Sequence, residues 1–189
     1  MKLFRITLLT FVLLAAFVQP IHAQSDKPLV LVLNADGPIM PAMQEYIERG
    51  IKVAEQRDAE ALIIQLNTPG GDLLTTIAII QSMRASRVPV IVHVAPNGAI
   101  AASAGAMITM GGHASAMAPE TAIGASSPIS GSGEDLDTTS ETKAKEISKA
   151  AIRPLVEPRG EEAVALAESM IDEAKAVTAE EALEVHLID

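Results

Sequence analysis

The sequence predicts one α/β domain in which helices cover a parallel sheet. Three observations carry this. Short apolar runs recur at residues 29–34 (LVLVLN), 61–66 (ALIIQL) and 88–95 (VPVIVHVA). The stretches between them place apolar residues at helical spacing, and strand–helix alternation is the pattern of a parallel sheet. A Pro-Gly-Gly turn, Pro69–Gly70–Gly71, stands between the second strand and its helix.

The elements follow in order. Residues 1–23 read as a secretory signal: Lys2 and Arg5 precede the apolar run ITLLTFVLLAAFV, and IHA ends at a cleavable Ala23. Read the other way, the same run is an uncleaved anchor, and in both readings the rest is exported. Residues 24–28 (QSDKP) form a polar joint, and residues 29–189 form the domain. After the first strand, Met43, Tyr46, Ile47, Ile51 and Val53–Ala54 mark a helix. The second strand, the Pro-Gly-Gly turn, a helix over 73–83 and the third strand come next. Residues 98–112 (GAIAASAGAMITMGG) are almost all small, which predicts a tightly packed helix. Short extended pieces and turns follow in HASAMAPETAIGASSPI. Residues 130–141 (SGSGEDLDTTSE) read as a mobile polar loop. Helices are expected from 142 to about 155 and from 161 to 172. A short last helix opens on a Thr cap in TAEEALEV.

Charge and composition narrow the function. Without Lys2 and Arg5 the chain carries 12 basic against 24 acidic side chains, a formal charge of −12. So acidic a domain is a poor partner for nucleic acid or anionic lipid. There is no cysteine, which excludes disulfides and thiolate metal sites. The sequence shows no histidine pair at helical spacing and no His-Glu motif, so no metal is expected. No cofactor is implied.

Few side chains remain for covalent chemistry. Ser103, in AIAASAGAM, is a candidate nucleophile; the plainer reading is a small hydroxyl packed in an alanine-rich helix and bonded to its own backbone. Of the histidines after residue 23, His93, His113 and His186, none has a telling context for a triad. Among lysines, Lys143 lines up with Ile147, Ala150 and Ala151, whereas Lys145 lines up with Lys149 and Arg153 in a solvated basic stripe. Lys143 is thus expected to face the apolar side. Lost hydration there lowers a lysine's pKa and lets it take a serine proton. The alternative is a lysine that reaches water from the first turn of its helix. Gly70 and Gly71 can offer bare N–H groups to an oxyanion, or simply make a tight turn.

NTPGGDL, AIAASAGAMI and MAPETAIGASSPI, in this order, resemble the ClpP/crotonase-like serine proteases, and most closely the NfeD family of membrane-associated proteases. The resemblance spans residues 29 to 189 and implies a spiral of strands flanked by helices. It implies Ser103 as nucleophile, Lys143 as general base with Lys145 as second choice, and an oxyanion hole lined by Gly70, Gly71 and Ala104. The histidine of the related ClpP triad would fall near Pro128, where this chain has none, which supports a Ser-Lys dyad. The implied function is an exported endopeptidase acting on apolar membrane-protein segments, with a stomatin-like partner, a homo-oligomeric state and a role in membrane-protein quality control. Family members continue past this point into membrane spans and a small β-barrel, so the chain reads as a short form or a fragment. Two other classes stay open: a non-catalytic scaffold of the same fold, and a crotonase-like acyl-CoA enzyme, against which export argues.

Overall fold

The computed structural model describes residues 28–129 and 137–189. The predicted signal segment, most of the polar joint and the first half of the predicted mobile loop lie outside the described residues.

The first strand, β1 (Val30–Asp36), leads to helix α1 (Pro41–Gln56), whose Pro41 sits in the first turn, where its missing N–H costs nothing. Ile47, Gly50, Ile51 and Ala54 form its buried stripe. Strand β2 (Ala61–Asn67) is followed by α2 (Leu73–Ala85), and β3 (Val90–Val94) runs beside β2. The strands and α2 match the expected ones to within two residues, and α1 to within three. Strand β5 (Ala114–Met117) completes a four-stranded, all-parallel sheet of order β1-β2-β3-β5.

Register explains the layering. Leu33, Ile64, Val92 and Ser115 lie side by side on the face covered by helices, and Ile64, Val92 and Ser115 are buried. The neighbouring row, Val32, Ile63 and Ile91, lies on the other face. There Val30 and Val32 at the sheet edge are exposed. Parallel sheets are ordinarily covered on both faces; among the described residues this one is covered on one.

A second sheet joins β4 (Ile100–Ala101), β6 (Ala122–Gly124) and β7 (Ala176–Thr178), with β4 parallel and β7 antiparallel to β6. A bridge between Thr68 and Ala101 couples it to the end of β2. The long helix predicted over 98–112 is therefore corrected. Its first part is strand β4, and only Ala104–Gly111 is helix, α3, with all eight residues buried. Alanine and glycine give both conformations little side-chain signal, and it is the sheet that claims Ile100 and Ala101.

Helix α4 (Thr138–Val156) starts four residues earlier than predicted, because Asp137 caps it by accepting from Thr139 and Ser140 N–H. After a short 3-10 turn (Glu157–Arg159) come α5 (Glu161–Asp172) and α6 (Ala179–Glu184). The predicted Thr cap of α6 is Thr178, in a reciprocal capping box with Glu181. No described helix is long and apolar enough to cross a membrane.

Candidate active site

Two turns meet where β2 and β4 end. Asn67 begins the first: its Oδ1 accepts from Ile100 N–H while its Nδ2 donates to Asp36. Thr68 follows, fully buried, with its N–H on Ile100 O and its carbonyl accepting from Ala102 N–H. The chain then turns through Gly70 at φ +113°. A Cβ on Gly70 would lie 2.8 Å from Ser103 Cβ, so a side chain there would displace the serine. Gly71 sits in a parallel bridge against Ile39, where Ile39 donates to Gly70 O and accepts from Asp72 N–H. In such a bridge the central residue turns its own N–H outward. Among the described residues Gly71 N–H has no acceptor, and a Cβ at Gly71 would fall 2.0 Å from Ile39 O.

The second turn is Ser103 itself. Strand β4 ends at Ala101 and α3 starts at Ala104, leaving Ser103 as helix N-cap at φ +50°, ψ −113°. That region suits glycine; for serine it costs on the order of 1–3 kcal/mol and persists only when the surroundings impose it. They do so here from both sides. Ser103 N–H donates to Ala125 O at 2.7 Å, and Ser103 O accepts from Ala106 N–H and from the Ser126 hydroxyl. Its Oγ makes no hydrogen bond among the described residues. The expectation of a hydroxyl bonded back into an alanine helix does not hold. A strained strand-to-helix turn that lifts a free hydroxyl off the backbone is how a fold displays a nucleophile. Ala104 N–H, the first of α3, likewise has no acceptor among the described residues, as helix geometry requires.

Gly70 differs from the expectation in one respect. Its N–H donates to Thr68 Oγ1 at 3.1 Å and is not offered to a ligand. Of the three backbone groups predicted to line an oxyanion hole, those of Gly71 and Ala104 are unengaged and that of Gly70 is committed.

Lys143 does not sit as predicted. The buried positions of α4 are Ser148, Ile152 and Val156, while Lys143 and Ala150 are exposed and Ile147 is 55 % exposed. The expected apolar surroundings are absent among the described residues, because α4 turns a different stripe toward the core. No hydrogen bond links Lys143 to Ser103. The stripe read as solvated is an inter-helix clamp. Lys145 Nζ donates to Asp172 O at 3.1 Å and pairs with Glu141, Lys149 pairs with Glu146 and Asp172, and Arg153 pairs with Glu168. Hydrogen bonding from Glu146 and then Asp172 raises the Lys149 pKa above its ordinary value. Lys145 also caps the C-terminus of α5, where a cation meets unpaired carbonyls.

His113 serves another end. His113 Nδ1 accepts from Val90 N–H while His113 N–H donates to Val90 O, tying β5 to β3. Partial burial, and then the Arg84 guanidinium, lower its pKa. No histidine is hydrogen-bonded to Ser103, and no group of three or more metal-ligating side chains occurs among the described residues. Two surface grooves, of about 340 and 390 Å³, lie between α1 and α2 and along the start of α5, and neither includes Ser103.

Residues 29–188 match the family model described as the N-terminal domain of NfeD1b. The chain belongs to this NfeD family. It is 38% identical over 183 residues to the membrane-bound protease PH1510 of Pyrococcus horikoshii, covering 96% of this chain and 41% of that one. It is 29% identical over 172 residues to the membrane protein NfeD1b of Bacillus subtilis, covering 90% of this chain and 38% of that one. The chain thus spans about two fifths of the length of these relatives. Two solved structures of the 1510-N membrane-bound stomatin-specific protease are similar. A lysine-to-alanine mutant with a substrate peptide superposes at TM-score 0.79 and 37% identity, over 87% of this chain and 75% of that chain. A serine-to-alanine mutant superposes at 0.78 and 38%, over 86% and 79%. The NfeD protease structures share the mixed α/β fold described above. Their two substituted positions lie 41 residues apart. Here Lys143 is 40 and Lys145 is 42 residues beyond Ser103.

The sequence reading missed Thr68, Asp72 and the α4–α5 clamp. Asp72 was legible, since an Asp opening an apolar run is an N-cap signal; its Oδ2 accepts from Thr75 N–H at 2.7 Å.

Proposed function

We propose that this chain is the catalytic domain of an exported, membrane-associated serine endopeptidase in which Ser103 is the nucleophile and Lys143 the general base. The observation that carries the reading is the Ser103 turn. A strained, glycine-like backbone holds a free hydroxyl beside two unengaged N–H groups, Gly71 and Ala104. Neutral Lys143 takes the Ser103 proton as Oγ attacks the scissile carbonyl. Gly71 and Ala104 N–H donate to the oxyanion, and the Lys143 ammonium then protonates the leaving amine. Water completes the cycle by hydrolysing the acyl-enzyme.

Lys143 is favoured over Lys145 because its amine is uncommitted. Lys145 Nζ is held against Glu141 and the end of α5. Lys143 makes no ion pair or side-chain hydrogen bond among the described residues, which leaves it available to Ser103. Packing of α3 against α4 places both residues on neighbouring elements. The contact between them forms with substrate, since catalytic hydrogen bonds often tighten only in the complex.

Apolar polypeptide is the substrate class that the surroundings support. Met40 follows the Ile39 bridge, Leu74 opens α2 just past Gly71, and Ile129 ends the segment that braces Ser103; all three are exposed. Leu74 is the most exposed, at 75 %. A stomatin-like partner rests on the relatives described as a stomatin-specific protease; membrane-protein segments as substrate, a homo-oligomeric working form and a role in membrane-protein quality control rest on the family resemblance of the sequence.

Labelling of the full chain with a fluorophosphonate probe tests this reading. The wild type and Lys145→Ala should label, whereas Ser103→Ala and Lys143→Ala should not, with circular dichroism unchanged in all four. Labelling that survives in Lys143→Ala would refute the dyad; a wild type that never labels would refute the hydrolase.

A further inference from the structure

We infer that Thr68 is a positioning residue for the oxyanion hole: its hydroxyl binds Gly70 N–H and, together with the Ile39 bridge to Gly70 O, holds the glycine turn so that Gly71 N–H, and not Gly70 N–H, faces the reacting carbonyl. The inference rests on the proposed hydrolase and goes beyond it to a residue that touches no substrate.

Thr68 is fully buried, yet it contacts both halves of the site. Its backbone brackets Ala101, donating to Ile100 O at 2.8 Å and accepting from Ala102 N–H at 3.1 Å. That pair fixes β4 two residues before Ser103. Its methyl, Cγ2, lies 2.5 Å from where a Gly105 Cβ would stand, so it packs on the first turn of α3, two residues after Ser103. Its hydroxyl oxygen accepts from Gly70 N–H at 3.1 Å and lies 3.3 Å from Gly70 O. One side chain therefore sets the separation of the nucleophile turn from the glycine turn.

Ile39 N–H holds Gly70 O at 2.8 Å, which anchors the Gly70–Gly71 peptide at its carbonyl, and the Thr68 hydroxyl anchors the other side of Gly70 through its N–H. At φ +113° a glycine has several alternatives of similar energy, so with only its carbonyl held the turn can rotate about Gly70. Rotation would carry Gly71 N–H off its aim. A preorganised donor stabilises an oxyanion only if it is already oriented when charge develops. The Thr68 hydroxyl blocks rotation by binding the preceding N–H within the same turn, a local side-chain-to-backbone bond typical of Ser and Thr. The buried N–H is satisfied at the same time.

Valine and serine separate the two functions of the side chain. Thr68→Val keeps the methyl packing and removes the hydroxyl; Thr68→Ser keeps the hydroxyl and removes the methyl. On the full chain, the readouts are hydrogen exchange of the Gly70 amide, the rate of fluorophosphonate labelling, and affinity for an apolar peptide boronic acid, whose adduct mimics the tetrahedral oxyanion. Turnover of a fluorogenic apolar peptide separates kcat from KM. In Thr68→Val the Gly70 amide should lose protection. Labelling and kcat should fall about 10- to 100-fold with KM nearly unchanged, and boronate affinity should fall in parallel. Thr68→Ser should restore all of these to within a few-fold while melting lower than the wild type. A merely structural role predicts the reverse, with Ser worse than Val. Unchanged labelling and boronate affinity in Thr68→Val, with the wild type reactive, would overturn the role of Thr68 alone. A wild type inert to both probes would overturn the hydrolase reading and this role with it.

Discussion

Backbone strain at Ser103 is the residue-scale feature from which the rest of the site follows. Serine at φ +50° is held by Ala125 O on one side and by α3 on the other, so the hydroxyl points outward for a backbone reason. Strain of this kind predicts an unequal pair of inactive variants. Ser103→Gly should melt higher than Ser103→Ala, by an amount worth about 1 kcal/mol or more, while neither labels with fluorophosphonate. Equal melting temperatures would mean that the turn is not strained. His113 supplies a second residue-scale prediction. Its folded pKa lies below 6.5, through partial burial and then Arg84, so as pH falls through 6.5 the unfolded chain takes up the proton first. Stability should decline on that account as pH falls below the ordinary histidine value. His113→Asn, which can keep the acceptor for Val90 N–H, should flatten this part of a thermal-melt pH profile.

At the scale of elements, caps and clamps decide where helices start and what they face. Asp72 caps α2 immediately after the glycine turn, and hydrogen bonding from Thr75 lowers its pKa below 3.8. Its extra stability is present above pH 3.8 and is lost as pH falls through the lower, folded value. Asn caps about as well as Asp without titrating. The melting difference between wild type and Asp72→Asn should therefore shrink as the solution is acidified, and a difference independent of pH would count against the cap. Helix α4 shows the limit of reading a face from spacing. Lys143, Ile147 and Ala151 do share a stripe, but α5 draws in the other one through Lys145, Lys149 and Arg153. Long basic side chains lay their stems along the neighbouring helix and place their charges on its acidic edge, so a basic stripe can be the packed one.

For the whole molecule, closure of the chain is the feature with measurable consequence. Leu187 and Ile188 are buried, Asp189 N–H donates to Ser115 O, and the Asp189 carboxylate accepts from Ser115 N–H and Arg159. The last residues thus secure the edge of the main sheet at β5, far from them in sequence. Removing residues 186–189 should cost several kcal/mol, since each buried aliphatic side chain contributes about 1.5–3 kcal/mol. A truncated chain with an unchanged urea midpoint would contradict this. Ser103 should then label more slowly at a temperature near the new midpoint and normally well below it, because the loss is of stability and not of a site group.

Local chemistry determined much of this protein from sequence alone. Period-two and period-3.6 patterns placed β1, α1, β2, α2 and β3, the Thr178 cap marked α6, and Pro-Gly-Gly marked the first of the two turns that meet. Each of those signals lies within one element, so no distant partner was needed to read it. Tertiary structure decided the rest. It divided the alanine-rich 98–112 segment between β4 and α3, turned Lys143 outward, and committed Gly70 N–H to Thr68. In each case the deciding partner, whether β6, α5 or a buried hydroxyl, comes from packing, which near-featureless side chains and bare glycines do not encode by themselves.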